Sequence, residues 1–500
     1  MSKPVSAAQL RRKAKRRSQK MLRVRQQKQG IAMPRKATLP NRNSIWKTPE
    51  EEKAGRQQAV EGTLNVFRQL LPGLLHDLGK IEDPRHPNKV KHKLTVLMLY
   101  GILAFVFQYA SRREAGREMS RPVLYENLKA LFPELESLPH HDTLCRLLER
   151  IEVQEIEQAH LKLLRRLIRS KKFRNDLVKK RYLIAVDGTQ KLVTQTCLSE
   201  EQLHRKPGGK EEPEYYVYLL EAKLVFPSGL VLPLMSEFLD NTVDEGSSKQ
   251  DCELKAFYRL AARLKAAFPR LPVTLLLDGL YANGPVMALC RKNRWEFMIV
   301  LQNDSLLSVW KEAHALMKLH PEQTVTRTWK GRAQTFRYTN DIEYVYGSNE
   351  RLKQTVHVVV CEETWEEADE QAKIVTKTSR HAWLSSEPLH ERNLHVRCNV
   401  MARSRWGLEN DILQEKRQGY QYEHVFAYDW NAMRGYHYLM HLAHLMNELA
   451  GLVEVVAALT SQFGIRGFLR LLRETIASPW LDLVRMRELQ EQKRYLRFAS

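Results

Sequence analysis

The chain has 500 residues, room for about three domains of about 100–200 residues each, and its 43% hydrophobic and 28% charged content excludes wholesale disorder. Of the net charge of +22, fifteen positive charges and no acid lie in residues 1–49, leaving +7 for the rest. A dense cationic arm on a mildly basic body points to a polyanion, most simply nucleic acid.

Residues 1–48 read as a basic flexible arm, able to become helical between Ala7 and Gln29 when it meets a partner. Its densest part, Arg11, Arg12, Lys13, Lys15, Arg16 and Arg17, suits nonspecific contact with DNA phosphates. A solvated tail without a role is the plainer alternative. The arm has no apolar stretch of the kind a signal peptide needs.

Residues 49–180 read as a helical domain. Val60–Leu75 and Lys91–Ala110 are apolar at helical spacing, as is Thr143–Ile168, with Asp142 or Thr143 as its expected N-cap. The run from Leu94 to Phe107, interrupted only by Thr95, is too short for a bilayer span of about 20 residues. It reads as a buried helix, and no membrane partner is expected.

Residues 181–301 change period. Tyr182–Val186 reads as a buried strand ending at Asp187-Gly188; Tyr215–Phe226 and Leu230–Phe238 form a hairpin about Pro227-Ser228-Gly229. The Gly208-Gly209 region is a loop without phosphate-loop spacing. A helix over Asp251–Ala267 follows, then a strand Val273–Leu277 ending at Asp278-Gly279, a helix Gly284–Lys292 and a strand Phe297–Leu301. Together these predict a mixed sheet with helical cover.

Residues 302–386 are β-rich. Period two between Thr324 and Cys361, with a turn at Gly347-Ser348-Asn349, predicts a small antiparallel insertion outside the main sheet. Residues 387–450 return to helix, over Leu394–Arg417 and from Tyr436 to Leu459, and residues 451–500 form a basic helical C-terminal region. The six cysteines are scattered with no C-x-x-C pair, which argues against a disulfide scaffold or zinc ribbon and for a reducing compartment.

Asp187 and Asp278 each follow an apolar run and precede a glycine, so both carboxylates are expected at one sheet edge. Adjacent carboxylates repel unless a cation lies between them, which suits a hard divalent metal. The plainer alternative is that each Asp caps a turn. Arg405 and Glu409 are i,i+4 and Lys416 is seven residues further, so all three share one helix face; a solvated ion-pair stripe is the plainer use. His437, His441 and His444 lie near one helix face and have zinc-ligand chemistry. Lacking a carboxylate or cysteine in their pattern, they read as core or surface histidines. Trp329 and Trp383 read as packing rather than base-stacking residues, and Tyr281 either touches DNA or closes a turn.

Arg405-x3-Glu409-x6-Lys416, followed by Gly419-Tyr420-x2-Glu423-His424, resembles the signature of insertion-sequence DDE transposases with a Y-R-E-K motif. Asp83-Pro84-Arg85 and Leu138-Pro139-His140-His141-Asp142-Thr143 are similar to the helical domain that precedes the core in H-repeat-like transposases. The resemblance spans residues 80–450 or so. It implies an α/β, ribonuclease-H-like mixed sheet with helices, a β-strand insertion before the last acid, and helical N-terminal and C-terminal regions. Residues 49–180 would bind DNA ends.

The resemblance further implies that Asp187, Asp278 and Glu409 hold two Mg²⁺ ions, with Mn²⁺ able to substitute, while Arg405 and Lys416 hold DNA phosphates. The expected reaction is cleavage of the ends of a mobile element and joining of their 3′-hydroxyls to target DNA. The expected partners are double-stranded DNA, both terminal inverted repeats and target, and further copies of the chain, as a homodimer or higher in the DNA complex. The expected location is the bacterial cytoplasm, on the nucleoid when DNA-bound. The family's Tyr, three residues before the Arg, is here Ala402. Two alternatives stay open: an inactive or domesticated DNA-binding or assembly protein of the same fold, and a metal-dependent nuclease that cuts without joining.

Overall fold

The structure, a computed structural model, describes residues 7–28, 44–206, 212–242, 250–347, 351–369, 371 and 373–491. Gly208-Gly209, Ser348-Asn349, and parts of the arm and C-terminal tail lie outside the described residues. In chain order the main elements are α1 (Ala7–Lys28), α2 (Pro49–Leu78), α3 (Leu94–Val106), α4 (Gln154–Arg169), β1 (Tyr182–Thr194), β2 (Leu203–Arg205), β3 (Glu214–Val225), β4 (Val231–Phe238) and α5 (Glu253–Ala267). They continue with β5 (Val273–Leu277), β6 (Glu296–Val300), β7 (Thr324–Trp329), β8 (Arg332–Tyr346), β9 (Leu352–Ala368), β10 (Ile374–Ser385), α6 (Arg405–Arg417), α7 (Trp430–Gly451) and α8 (Glu454–Ile476). The chain is mixed α/β and divides into two compact units, residues 1–38 with 272–404 and residues 39–271 with 405–500.

The unit of residues 39–271 and 405–500 is built on α7, which is buried along most of its length. α3, apolar on every side and therefore suited to the interior, packs against α7. Their approach depends on Gly101, where a Cβ would lie 2.8 Å from Leu439 Cδ1 and 2.7 Å from Leu144 Cδ2. α2 starts where the Thr48 hydroxyl accepts from Glu51 N at 3.2 Å, with Glu50, Glu51 and Glu52 in the first turn to suit the helix dipole. β1 and β3 pair antiparallel with Asp187 opposite Glu221, and the other edge of β3 takes β2 and then β4. The β3–β4 hairpin turns where expected, with Gly229 at φ 94°.

The unit of residues 1–38 and 272–404 carries a sheet in the order β5-β6-β10-β9-β8-β7. β5 and β6 are parallel and the other pairs antiparallel. α1 packs on β9 through the buried Ser18, Leu22 and Gln26, and Arg25 lies 3.4 Å from Glu366.

Several expectations change. β7–β9 are antiparallel strands, as period two implies, but they are not outside the sheet: β10 pairs with β6 through Trp383–Val300 and Leu384–Ile299 and carries them as a continuation. Pairing covers an edge of β6 that would otherwise stand open. β1 does not stop at Asp187 but runs on to Thr194, because residues after Gly188 keep pairing with β3. Asp187 is therefore mid-strand, whereas Asp278 directly follows β5. The expected helix 394–417 is a short helix Glu391–Leu394, wide π-type turns over His395–Met401, a tight turn at Ala402–Ser404, and only then α6. Its buried polar side chains face their own unit: Arg397 bonds Glu296 at 3.0 Å, Asn399 bonds Gln334 at 2.8 Å and Arg403 bonds Glu363 at 2.6 Å. The helix expected over Tyr436–Leu459 breaks at the extended Val453, and the N-cap expected at Asp142 or Thr143 is His140. α8 is long and apolar enough to cross a membrane by length and composition, but Gly464 at φ 71° interrupts it.

Gly101→Ala should lower unfolding stability by about 1–3 kcal/mol, since the added methyl meets two packed leucines. Gly451→Ala, with nothing within 4 Å of the new carbon, should be neutral or stabilising by up to about 0.5–1 kcal/mol. Equilibrium denaturation of both variants checks the contrast.

Candidate active site

α6 brings two of the three acids together. Arg405 at its first turn places Nη1 2.9 Å from Asp187 Oδ2 on β1 and Nη2 2.6 Å from Glu409 Oε1 one turn along. Asp187 Oδ1 also accepts from the Gly188 amide at 2.9 Å. The guanidinium is largely buried and Glu409 is about half exposed, so the pair of carboxylates opens toward solvent. At the far end of the same face Lys416 donates to Gln190 O at 3.0 Å, also on β1, and lies 2.9 Å from Glu423. The face predicted from spacing is thus laid along β1.

Asp278 belongs to the other unit. Its carboxylate accepts from Leu280 N at 3.0 Å and caps a one-turn helix Gly279–Tyr281. Gly279 has no room for a side chain, because Gln302 Cγ would lie 2.6 Å from a Cβ there. Tyr281 is fully buried, so it closes the turn. In this unit the Arg403 guanidinium lies 5.3 Å from the Trp329 ring and 5.6 Å from the Trp383 ring, a packing use for both. On α1, Arg11, Arg12, Lys13, Arg16 and Arg17 are exposed and Lys15 half-exposed.

A second, buried side of α6 carries charges that spacing did not single out. Asp411 and Glu415 are buried and hold Lys223 of β3 at 2.6 and 2.7 Å. His444 of α7 bonds Glu415 through Nδ1 at 2.6 Å and approaches Asp411 at 3.4 Å through Nε2. Beside them Glu221 of β3 accepts from Tyr422 Oη at 2.7 Å and Ser236 Oγ at 3.0 Å, facing His437 and His441 at 3.4 and 3.5 Å. The sequence did carry a signal: Glu221 and Lys223 stand two apart, on one face, in the apolar second half of the strand.

Burial opposes every charge here, and the neighbours decide the outcome. It disfavours the Lys223 ammonium, yet Asp411 and Glu415 push its pKa up. It disfavours ionised Glu221, yet His441 and His437 hold that carboxyl well below the usual range. His437, with burial and the nearby His441 acting together, is brought down to about 3. His444 goes the other way, because Asp411 and Glu415 outweigh its burial and raise it to about 10. Burial lowers Lys191, which donates to Tyr422 O at 2.8 Å, to about 8.

Among the described residues, three groups bring donor atoms close enough to share an ion: His140–His141–Asp142, Glu221–His437–His441 and Asp411–Glu415–His444. Residues 75–164 match the family described as DDE_Tnp_1-associated. The match takes in Asp83-Pro84-Arg85 and the His140–Asp142 turn, and it points to a transposase-related, DNA-processing function. No curated protein matches the chain.

His444 makes stability depend on pH. Its folded value lies above the ordinary 6.5, so the stability it contributes is complete below about pH 6.5 and is lost as pH rises through about 10. The groups facing it are Asp411, Glu415, Glu448 and the Tyr420 ring, with Lys223 beyond the carboxylates. His444→Asn should be less stable than the parent at pH 6 and lose less stability between pH 6.5 and 10, read from denaturant midpoints across that range.

Proposed function

We propose that the protein is a DDE transposase that cleaves the ends of a mobile DNA element and joins their 3′-hydroxyls to target DNA. The observation that carries this reading is the convergence of Asp187 and Glu409 on one guanidinium, at 2.9 and 2.6 Å. It sits in a chain with a transposase-associated segment at residues 75–164. The ribonuclease-H-like core and the Y-R-E-K relationship are part of the same proposal.

The chemistry of Asp187 and Glu409 suits a divalent metal. Carboxylate oxygens are the ligands Mg²⁺ prefers, and Asp187 and Glu409 already share a cation in Arg405. Asp187, Asp278 and Glu409 would hold two Mg²⁺ ions. When bound, such a metal pair supplies charge stabilisation at the attacking and leaving oxygens of an in-line phosphoryl displacement. Arg405 presents paired N–H donors suited to phosphate oxygens, and Lys416 a point charge one helix face away. The exposed cations of α1 supply sequence-independent affinity for the phosphate backbone. Joining two element ends requires at least two copies of the chain in the DNA complex.

Ala402 favours a second reading, an assembly protein of the same fold that no longer cuts, because the family's Tyr is missing there. A nuclease that cuts without joining is the third. End-containing DNA incubated with Mg²⁺ and a target plasmid separates them: cutting with joining, cutting alone, or binding alone.

For the first reading, Asp187→Asn, Asp278→Asn and Glu409→Gln should each lower cleavage by about 10²-fold or more, with DNA affinity nearly intact. Arg405→Ala and Lys416→Ala should slow cutting less. Cleavage by Asp278→Asn at the parental rate overturns the assignment.

Neutralising Arg11, Arg12, Lys13, Arg16 and Arg17 with Gln should weaken binding to all sequences. It should also flatten the log–log salt dependence by about one unit per lost phosphate contact. An unchanged slope in a fluorescence titration removes α1 from the DNA interface.

A further inference from the structure

We propose that Glu221, His437 and His441 form a binding site for a structural transition-metal dication, with zinc the best chemical fit. The site is separate from the proposed Mg²⁺ carboxylates and does not depend on the transposase reading. His437 and His441 are i,i+4 on α7, so both imidazoles leave the helix on one face. β3 supplies the carboxylate that meets both imidazoles. Glu221 Oε1 lies 3.4 Å from His437 Nε2 and 3.5 Å from His441 Nε2. Ligands about 2.0–2.1 Å from a tetrahedral zinc are about 3.3–3.4 Å apart, so these two edges need almost no adjustment.

A second observation points the same way. His441 Nε2 is buried, makes no hydrogen bond, and is aimed at Glu221 Oε1, with Glu415 Oε1 3.7 Å away. A buried ring nitrogen whose carboxylate neighbours stand at 3.5 and 3.7 Å is poorly satisfied, and a metal ion between them is a partner that its lone pair and the adjacent carboxylate both accept. The surroundings have the form of an outer shell that holds a ligating carboxylate: Tyr422 Oη and Ser236 Oγ each donate to one oxygen of Glu221. Ser236 is itself fixed, its amide donating to Glu157 at 2.8 Å. Its hydroxyl, 2.9 Å from His437 Nε2, offers an oxygen as a fourth ligand atom.

The other two groups fit less well. Between Asp411 and Glu415 the Lys223 ammonium already takes the place of a cation, at 2.6 and 2.7 Å. His140–His141–Asp142 is part-exposed, and Asp142 lies 3.4 Å from Arg112.

The test uses the full chain purified with zinc present, then gel-filtered and analysed for metal. About one zinc per chain is expected, and chelator-stripped protein titrated with Co²⁺ should develop visible d–d absorption. His441→Asn and Glu221→Gln should lose both signals, whereas Asp187→Asn, altered only at the proposed Mg²⁺ carboxylates, should keep them. The cobalt titration of unmutated protein needs no variant to fold. Clearly substoichiometric zinc with no cobalt absorption overturns the proposal and leaves a hydrogen-bonded core in which His437 Nε2–H donates to Ser236. Zinc that persists at full occupancy in folded His441→Asn overturns the assignment of these ligands. Neither result bears on DNA cleavage.

Discussion

Lys223, buried near the C-terminal end of β3 and held by Asp411 and Glu415, is the contact on which the geometry of α6 depends. An ammonium with no exposed surface is costly unless counter-charges meet it, and these two carboxylates stand one turn apart on one helix face. They fix the rotation of α6 about its own axis. Rotation by one residue would swing both acids off Lys223 and leave a buried charge alone. The neighbouring side of α6 is thereby fixed too, and it carries Arg405, Glu409 and Lys416 against β1. Buried ion pairs are weak sources of net stability but can set register. Here the register decides which charges face β1.

Arg405 then does for Asp187 and Glu409 what Lys223 does on the buried side. Without a cation the two carboxylates would repel, and the guanidinium fork satisfies one with each nitrogen. This arrangement is part-exposed and therefore exchangeable, in contrast to the sealed Lys223 cluster. A helix with permanent counter-ions beneath and a replaceable one above is rigid where it is anchored and open to chemistry where it meets solvent.

Much of this was legible in the sequence, and the limits were physical. The i,i+4 relation of Arg405 and Glu409 is local geometry, and it survives because α6 starts at Arg405. The β3–β4 hairpin was legible because Gly229 declares its turn. Asp187 was mislocated because Asp-Gly marks a turn only when pairing stops, and β3 continues to pair past it. The irregular turns of residues 395–404 were invisible because long-range partners hold Arg397, Asn399 and Arg403. The three histidines read as core or surface residues; they are buried, and the carboxylates that meet them most closely, Glu221 and Glu415, lie on β3 and α6. No window along α7 contains Glu221 or Glu415.

The arm shows how composition and packing divide the work. Its charge density predicts a segment that repels itself and stays solvated, yet α1 is helical and packs on β9. Ser18, Leu22 and Gln26 recur at four-residue spacing, so the buried stripe is narrow and needs only one strongly apolar side chain. Arg25, at the edge of that stripe, meets Glu366 on β9, so a basic residue helps hold the helix down. The remaining cations project into solvent along a straight element, which fixes their spacing in advance. A helix already formed loses less conformational entropy on meeting a phosphate backbone than a coil that must order first. The seating of α1 on its own unit therefore converts a loose charge reservoir into a pre-shaped cationic surface.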